Sequence, residues 1–308
     1  MEIRPLCIEL ASTLREEVLP HLGAHAARAH AGEAAGGDVT FAIDERAEAR
    51  MEAFLAERAP GVAFYSEDRG MVLPGGAGEA EWVLVVDPID GTRPALAGLE
   101  SCCVSVAAAR LDGEPTLGDV GVGVIVEIKS GTAFVAERGG GLEPAAALSA
   151  NRSLERMFWT YGFRGRPARA LVEVLAELID ASSVGGATFD LGSATFDMTR
   201  ILTGQLDAYV EPGPRIVDEV PGGREDFERV GGGSVLNNSP YDLAAAVLCL
   251  QEGGAIVTDA HGRSVADRRL LGSDHDFQIS CIAAANRELH GLICGAVEKG
   301  IARLAARR

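Results

Sequence analysis

Residues Trp82-Val83-Leu84-Val85-Val86-Asp87-Pro88-Ile89-Asp90-Gly91-Thr92 decide how the chain is read. The apolar run from Trp82 to Val86 predicts a strand covered on both faces, and hence a central place in a sheet. It ends on Asp87, and a second carboxylate, Asp90, follows three residues later. An aspartate at the end of such a strand is partly desolvated and calls for a compensating cation. Gly91 permits a tight turn and the close approach of a ligand to the backbone. Thr92 and the residues after it can open a helix, whose free N–H groups attract phosphate. Two hard anionic oxygens beside such a turn suit Mg²⁺. The plainer reading makes Asp87 and Asp90 turn formers only.

Outward from this segment, Leu6, Leu10, Leu14, Val18 and Leu22 recur at four-residue steps and predict a helix from residue 6 to about 30, broken by the glycines between 32 and 37. A second helix opens near Ile43 or Asp44, carries Ala47, Met51, Phe54 and Leu55 on one face, and ends before Pro60. Strands are expected at 62–66, 101–109, 120–128 and 132–136, with an irregular crossover at 139–150. The later half reads as helices at 171–179, 190–202, 242–251 and 288–306, and strands at 207–210, 255–258 and 281–284. Residues 212–241 are rich in Gly and Pro without a period and predict a long loop. This order predicts an α+β unit, residues 1–150, joined to an α/β unit, residues 151–308.

The 308 residues are 47% apolar, enough for a substantial core, and carry a formal charge of −17. That charge argues against nucleic acid, which is bound by Lys and Arg, and fits a protein that holds divalent cations. The six cysteines show no C-x-x-C pair and fall mostly in apolar runs, so buried free thiols are expected. No apolar stretch reaches a membrane span and no signal peptide is read at the start, so a cytoplasmic location with no membrane partner is expected.

The segment Asp87-Pro88-Ile89-Asp90-Gly91-Thr92 resembles the D-P-[IL]-D-G-T motif of the inositol monophosphatase family, which shares its fold with fructose-1,6-bisphosphatases and bisphosphate nucleotidases. Asp38-Val39-Thr40 with Asp44 resembles the family's D-x-V-T-x-x-D stretch, and Phe64-Tyr65-Ser66-Glu67-Asp68 its G-E-E turn. Gly192-Ser193-Ala194, followed by Asp207-Ala208-Tyr209-Val210-Glu211, resembles its G-S-A helix start and D-A-Y-x-E strand. Tyr241-Asp242-Leu243-Ala244-Ala245 through Glu252-Gly253-Gly254 resembles its W-D-x-A helix and E-A-G-G turn. In the haloacid dehalogenase-like phosphatases the two acids stand two residues apart, not three, which sets that alternative aside.

The resemblance implies a layered α-β-α-β-α sandwich of the sugar phosphatase type, two or three Mg²⁺ ions, a small-molecule phosphate ester as substrate, and a homodimer. It implies that Glu67, Asp87 and the Ile89 carbonyl bind one ion, and Asp87, Asp90 and Asp242 a second, so that residues 1–150 carry most of the ligands. It implies that Thr92, tied to Asp44, orients the attacking water, that Glu67 helps position or deprotonate it, and that Gly91 and Thr92 hold the phosphate. Gly192, Ser193, Ala194 and Glu211 would contact the alcohol part of the substrate. Two departures stand out. Arg93-Pro94 follows Thr92 where the family has a polar residue and Asn, and Glu211 and Asp242 are separated by an insertion expected to shape substrate choice. Asp218 is therefore a rival to Asp242 as ligand. The implied function is a Mg²⁺-dependent phosphomonoesterase acting on a small polyol or sugar phosphate, with inositol monophosphate as the type. The alternatives are a fructose-1,6-bisphosphatase, a 3′(2′),5′-bisphosphate nucleotidase, or a catalytically weak metal-binding regulatory protein.

Overall fold

The structure, a computed structural model, describes residues 2–24, 30–33, 39–76 and 80–308. Helix α1 (Ile3–Val18) buries Leu6, Leu10, Leu14 and Val18 along one face. It ends well before residue 30, contrary to the periodicity, because Pro20 lacks the N–H that would continue the ladder and a 3₁₀ turn over Leu19–His21 closes it. Residues 25–29 lie outside the described residues. The expected break at 32–37 contains part of a ribbon instead: β1 (His30–Glu33) pairs antiparallel with β2 (Val39–Phe41). Asp38 lies outside the described residues. Helix α2 (Ala42–Arg58) follows, with Ile43, Ala47, Met51, Phe54 and Leu55 buried.

The next strands are β3 (Ala63–Ser66), β4 (Gly70–Val72), β5 (Trp82–Asp90), β6 (Cys103–Arg110), β7 (Val120–Glu127), β8 (Ala133–Glu137) and β9 (Gly141–Glu143), with the short helix α3 (Thr92–Ala97) after β5. Among the described residues they form one sheet in the order β4-β3-β5-β6-β7-β8-β9. The stretch expected to be an irregular crossover thus supplies an edge strand. β5 is covered on both faces, as its composition demands. Val83 and Val85 join the core between the two sheets, while Leu84 and Val86 pack under α1 and α2. All four are fully buried, each contributing roughly 1.5–3 kcal/mol of transfer free energy.

The later half supplies β10 (Phe158–Tyr161), α4 (Ala168–Ser182), β11 (Ala187–Phe189), α5 (Ala194–Leu202), β12 (Ala208–Glu211), α6 (Gly213–Glu219), α7 (Gly223–Val230), α8 (Pro240–Glu252), β13 (Ile256–Thr258), β14 (Cys281–Ala284) and α9 (Arg287–Ala305). Its sheet runs β11-β10-β12-β14-β13. β10 and β11 escape sequence reading because they are short and place exposed Phe158 and Phe189 side by side at the sheet edge. The long loop expected at 212–241 contains α6 and α7 instead. Each spans about two turns, too short to show a period, and α7 buries only Gly223 and Phe227.

The layers follow from where the apolar faces meet. α1 and α2 cover one face of the larger sheet, α5 and α8 lie between the sheets, and α4, α6 and α9 cover the far face of the smaller one. This is the α-β-α-β-α sandwich. Cys7, Cys102, Cys103, Cys249 and Cys281 are buried free thiols, and Cys294 is half-buried. No helix of the described residues is long and apolar enough to cross a membrane.

Candidate active site

Asp87 and Asp90 stand three residues apart on β5, which in a regular strand would send them to opposite faces. The pairing with β6 slips between them: Asp87 faces Ser105, whereas Asp90 faces Cys103. One extra residue on β5 makes a bulge there, and Pro88, which has no N–H to leave unpaired, sits inside it. The bulge turns both carboxylates to one side. α8 brings in Asp242 from the far half of the chain, and carboxylate oxygens of Asp87, Asp90 and Asp242 lie within 4.8 Å of one another.

Each acid is oriented by its own backbone surroundings. Asp87 Oδ1 accepts the Ile89 N–H at 2.9 Å. Asp90 Oδ2 accepts the Ser193 hydroxyl at 2.9 Å and the Thr195 N–H at 2.5 Å, both from the start of α5. Asp242 is the third residue of α8 and accepts the Ser239 N–H at 2.6 Å, so it caps the helix and faces the cluster at once. Gly91, at φ +89°, admits no side chain: a Cβ there would stand 2.5 Å from the Ser101 carbonyl oxygen and 2.8 Å from the Ser193 Cβ.

Three carboxylates so close repel one another. Burial first, then the charges of Asp90, Glu67 and Asp242, hold the Asp87 carboxyl well above its usual range. Burial and then Asp90 push Asp242 up to about 8. Burial also raises Asp90, against the hydrogen bonds of Thr195 and Ser193 and the charge of Arg164. Such a set of hard oxygen donors fits divalent cations of the Mg²⁺ type, whose charge removes the repulsion that otherwise protonates the acids.

Glu67 stands outside that tight trio yet lines the same hollow with Asp44, Asp87, Ile89, Asp90, Gly91, Thr92 and Asp242. Its place follows from parallel pairing of β3 with β5: Ser66 is level with Val86, so the next residues, Glu67 and Asp87, emerge together. Asp68 is held by Thr40, whose hydroxyl donates to Oδ1 at 2.6 Å. Asp44 serves two ends: Oδ2 accepts the Phe41 N–H at 2.8 Å and caps α2, while Oδ1 lies 3.0 Å from the Thr92 hydroxyl. That hydroxyl also reaches the Ile89 carbonyl at 3.1 Å.

Gly192, Ser193 and Ala194 line a second hollow with Asp90, Asp242, Tyr161, Arg164, Asp190 and Asn238. The helix expected from Asp190 begins only at Ala194, because Gly192 takes φ +84° and Ser193 is the cap, accepting the Phe196 N–H. Glu211 does not line this hollow. It is fully buried, ion-paired with Arg166, and accepts the Gly213 N–H at 2.7 Å. Glu211, expected to contact the substrate, thus stands behind Arg166 and not in the wall of this hollow. Asp218 is exposed and bonded to His275 at 3.0 Å, away from the acidic trio, so the cluster is completed by Asp242. Sequence reading missed Arg164, Arg166 and Asn238, which come from segments with no motif around them.

A further buried acid, Glu48 on α2, accepts the Ser66 hydroxyl at 2.9 Å through Oε2. Burial raises its pKa from 4.5 to about 7. The folded state thus holds the proton more tightly than the unfolded chain, and stability is lost as pH rises from about 4.5 through about 7. Glu48→Gln, which mimics the protonated form, is expected to add about 3 kcal/mol at pH 8 and almost nothing at pH 4.5. Thermal melts of both proteins at the two pH values check this; equal midpoints at pH 8 would contradict it.

Residues 2–302 match the sequence profile of the inositol monophosphatase family. An inositol-1-monophosphatase of Mesorhizobium japonicum is 28% identical over 233 residues, covering 73% of this chain and 74% of that protein. A fructose-1,6-bisphosphatase/inositol-1-monophosphatase of Methanothermobacter thermautotrophicus is 26% identical over 303 residues, 95% of each chain. Among solved structures, an IMPase of Thermotoga maritima superposes with a TM-score of 0.71 at 20% identity, covering 99% of this chain and 100% of that one.

Proposed function

The chain belongs to the inositol monophosphatase family, and from that premise we propose that it hydrolyses the phosphate monoester of a small polyol or sugar with the help of Mg²⁺. The observation that carries the reading is the convergence of Asp87, Asp90 and Asp242 from two distant parts of the chain. In this reading Asp87, Asp90 and Asp242, with Glu67 and the Ile89 carbonyl, hold two or three ions. Ions bound there would supply charge neutralisation at the phosphoryl group and would acidify water. Residues 1–150 then contribute Asp44, Glu67, Asp87 and Asp90, while residues 151–308 contribute Asp242 and the alcohol-side contacts.

The chain's own groups do the positioning. Thr92 directs its hydroxyl proton toward Asp44 or the Ile89 carbonyl, so its lone pairs are left to accept a hydrogen bond from water. A water held in that way turns its own lone pair toward phosphorus. Glu67, facing the same hollow, takes part in placing or deprotonating it. Gly91 and Thr92 offer backbone N–H groups to the phosphate. Ser193 fixes Asp90 and lines the hollow where the alcohol part would sit, with Gly192 and Ala194. The end of the insertion, at Asn237 and Asn238, lines that hollow too and gives the insertion its bearing on substrate choice.

A panel of phosphate esters, including inositol monophosphate, fructose 1,6-bisphosphate and a 3′-phosphonucleotide, assayed with and without Mg²⁺, tests the reading; no release from any ester would overturn it. Within it, Thr92→Ala is expected to lower kcat about 10²- to 10⁴-fold, the range for a lost proton-handling group. Mg²⁺ binding, measured by calorimetry, should be retained, since the Thr92 side chain is no ligand. Thr92→Ser should recover most of the rate.

A further inference from the structure

This inference rests on the phosphatase reading and concerns a residue that the family motifs do not touch. Arg164 lies in the loop between β10 and α4. With Asp242, it lines each of the three adjoining hollows of the site: around Asp87 and Thr92, around Ser193 and Asn238, and beneath Val235 and Ser273. The loop is braced from below. Arg166 is buried, ion-paired with fully buried Glu211, and donates to Asn238 Oδ1 at 3.1 Å. Its other terminal nitrogen donates to the Arg164 carbonyl at 2.6 Å. The buried pair of Arg166 and Glu211 thus holds the backbone from which Arg164 overhangs the acids.

A guanidinium beside metal ligands opposes cation binding, so its presence needs a reason in the reaction. Asp44, Glu67, Asp87, Asp90 and Asp242 share the phosphate hollow with Arg93 and Arg164. Two divalent ions would leave those five carboxylates one negative charge in excess, facing a dianionic ester. The arginines reverse that sign. The Arg93 guanidinium stands 5.6 Å from the Phe41 ring centre, and the charge of Arg164 acts on Asp90 and Asp242. Arg164 offers a planar fork suited to two phosphoryl oxygens.

We propose that Arg164 contacts the phosphoryl group directly, pairing with its non-bridging oxygens in substrate, transition state and released phosphate. The contact strengthens as charge gathers on those oxygens. Arg164 is exposed, so its replacement leaves the core untouched.

The test compares the wild type with Arg164→Met and Arg164→Lys, all Mg²⁺-loaded. Three quantities are measured: kcat/KM on one hydrolysed ester, binding of inorganic phosphate by calorimetry, and Mg²⁺ affinity. Arg164→Met is expected to lower kcat/KM by about 100-fold, as for one lost donor at a developing charge. It should weaken phosphate at least about tenfold while Mg²⁺ binds as tightly or more so, because a repelling charge is gone. Arg164→Lys should recover part of both losses. Unchanged phosphate affinity in Arg164→Met overturns the proposal, and so does a joint loss of phosphate and Mg²⁺, which would mark a merely structural role. A wild type that releases phosphate from no ester would instead overturn the phosphatase reading, and the phosphate calorimetry still decides the role of Arg164.

Discussion

Asp90→Asn is expected to lower kcat/KM by more than about 100-fold, exceeding the usual cost of losing an outer partner of a metal ligand. The fold should survive. The asparagine oxygen can still accept from Ser193 and Thr195, as Asp90 Oδ2 does. The amide nitrogen then occupies the position of the second carboxylate oxygen and presents hydrogens where a cation needs a lone pair. Without metal the variant should be as stable as the wild type or more so, since one of three mutually repelling acids has been removed. Initial rates, and melting curves taken in chelator at pH 8, measure both halves. A rate close to that of the wild type would remove Asp90 from the mechanism, and a variant unfolded in chelator would show that its charge is needed for the fold itself.

The second large effect concerns metal and pH together. The folded pKa of Asp242 stands near 8, above its ordinary 3.8, and that of Asp87 is also raised. Between those limits the unfolded chain has released protons that the folded apoprotein still binds, so apoprotein stability falls as pH rises from about 4 to about 8. Divalent ions favour the ionised acids and reverse the trend. Mg²⁺ at about 100 times its dissociation constant adds roughly 3 kcal/mol per ion, a rise in Tm of roughly 5 °C for a chain of this length. The difference in Tm between Mg²⁺ and chelator is therefore expected to be large at pH 8 and to shrink toward pH 5, where protons compete for the same oxygens. A difference independent of pH would place the stabilising ions elsewhere.

Local chemistry determined what could be read from sequence. The run from Trp82 to Thr92 announces a buried strand ending in acids, and Asp44 and Asp242 stand at the starts of expected helices. The bulge that brings Asp87 and Asp90 to one side was not legible, because it depends on the register with β6. The neighbourhood of Glu67 and Asp87 likewise depends on parallel pairing of two strands. Pro20 was an available signal that α1 stops early, outweighed by the recurrence of Leu22. α6 and α7 are too short for periodicity to detect. Glu211 lies where the family pattern led, on β12, but its partner Arg166 comes from a loop with no signature, so the burial of both could not be anticipated. Arg164 was silent for the same reason: a single charged residue in a glycine-containing loop acquires meaning only from what stands opposite it in space.

Crystals of the protein soaked in Mn²⁺ and measured for anomalous scattering would test cation binding at the acidic cluster without recourse to any substrate. Strong peaks are expected among the carboxylates of Asp87, Asp90 and Asp242, with Glu67 beside the one nearest Asp87. A map with no peak among these side chains at saturating Mn²⁺ would contradict this.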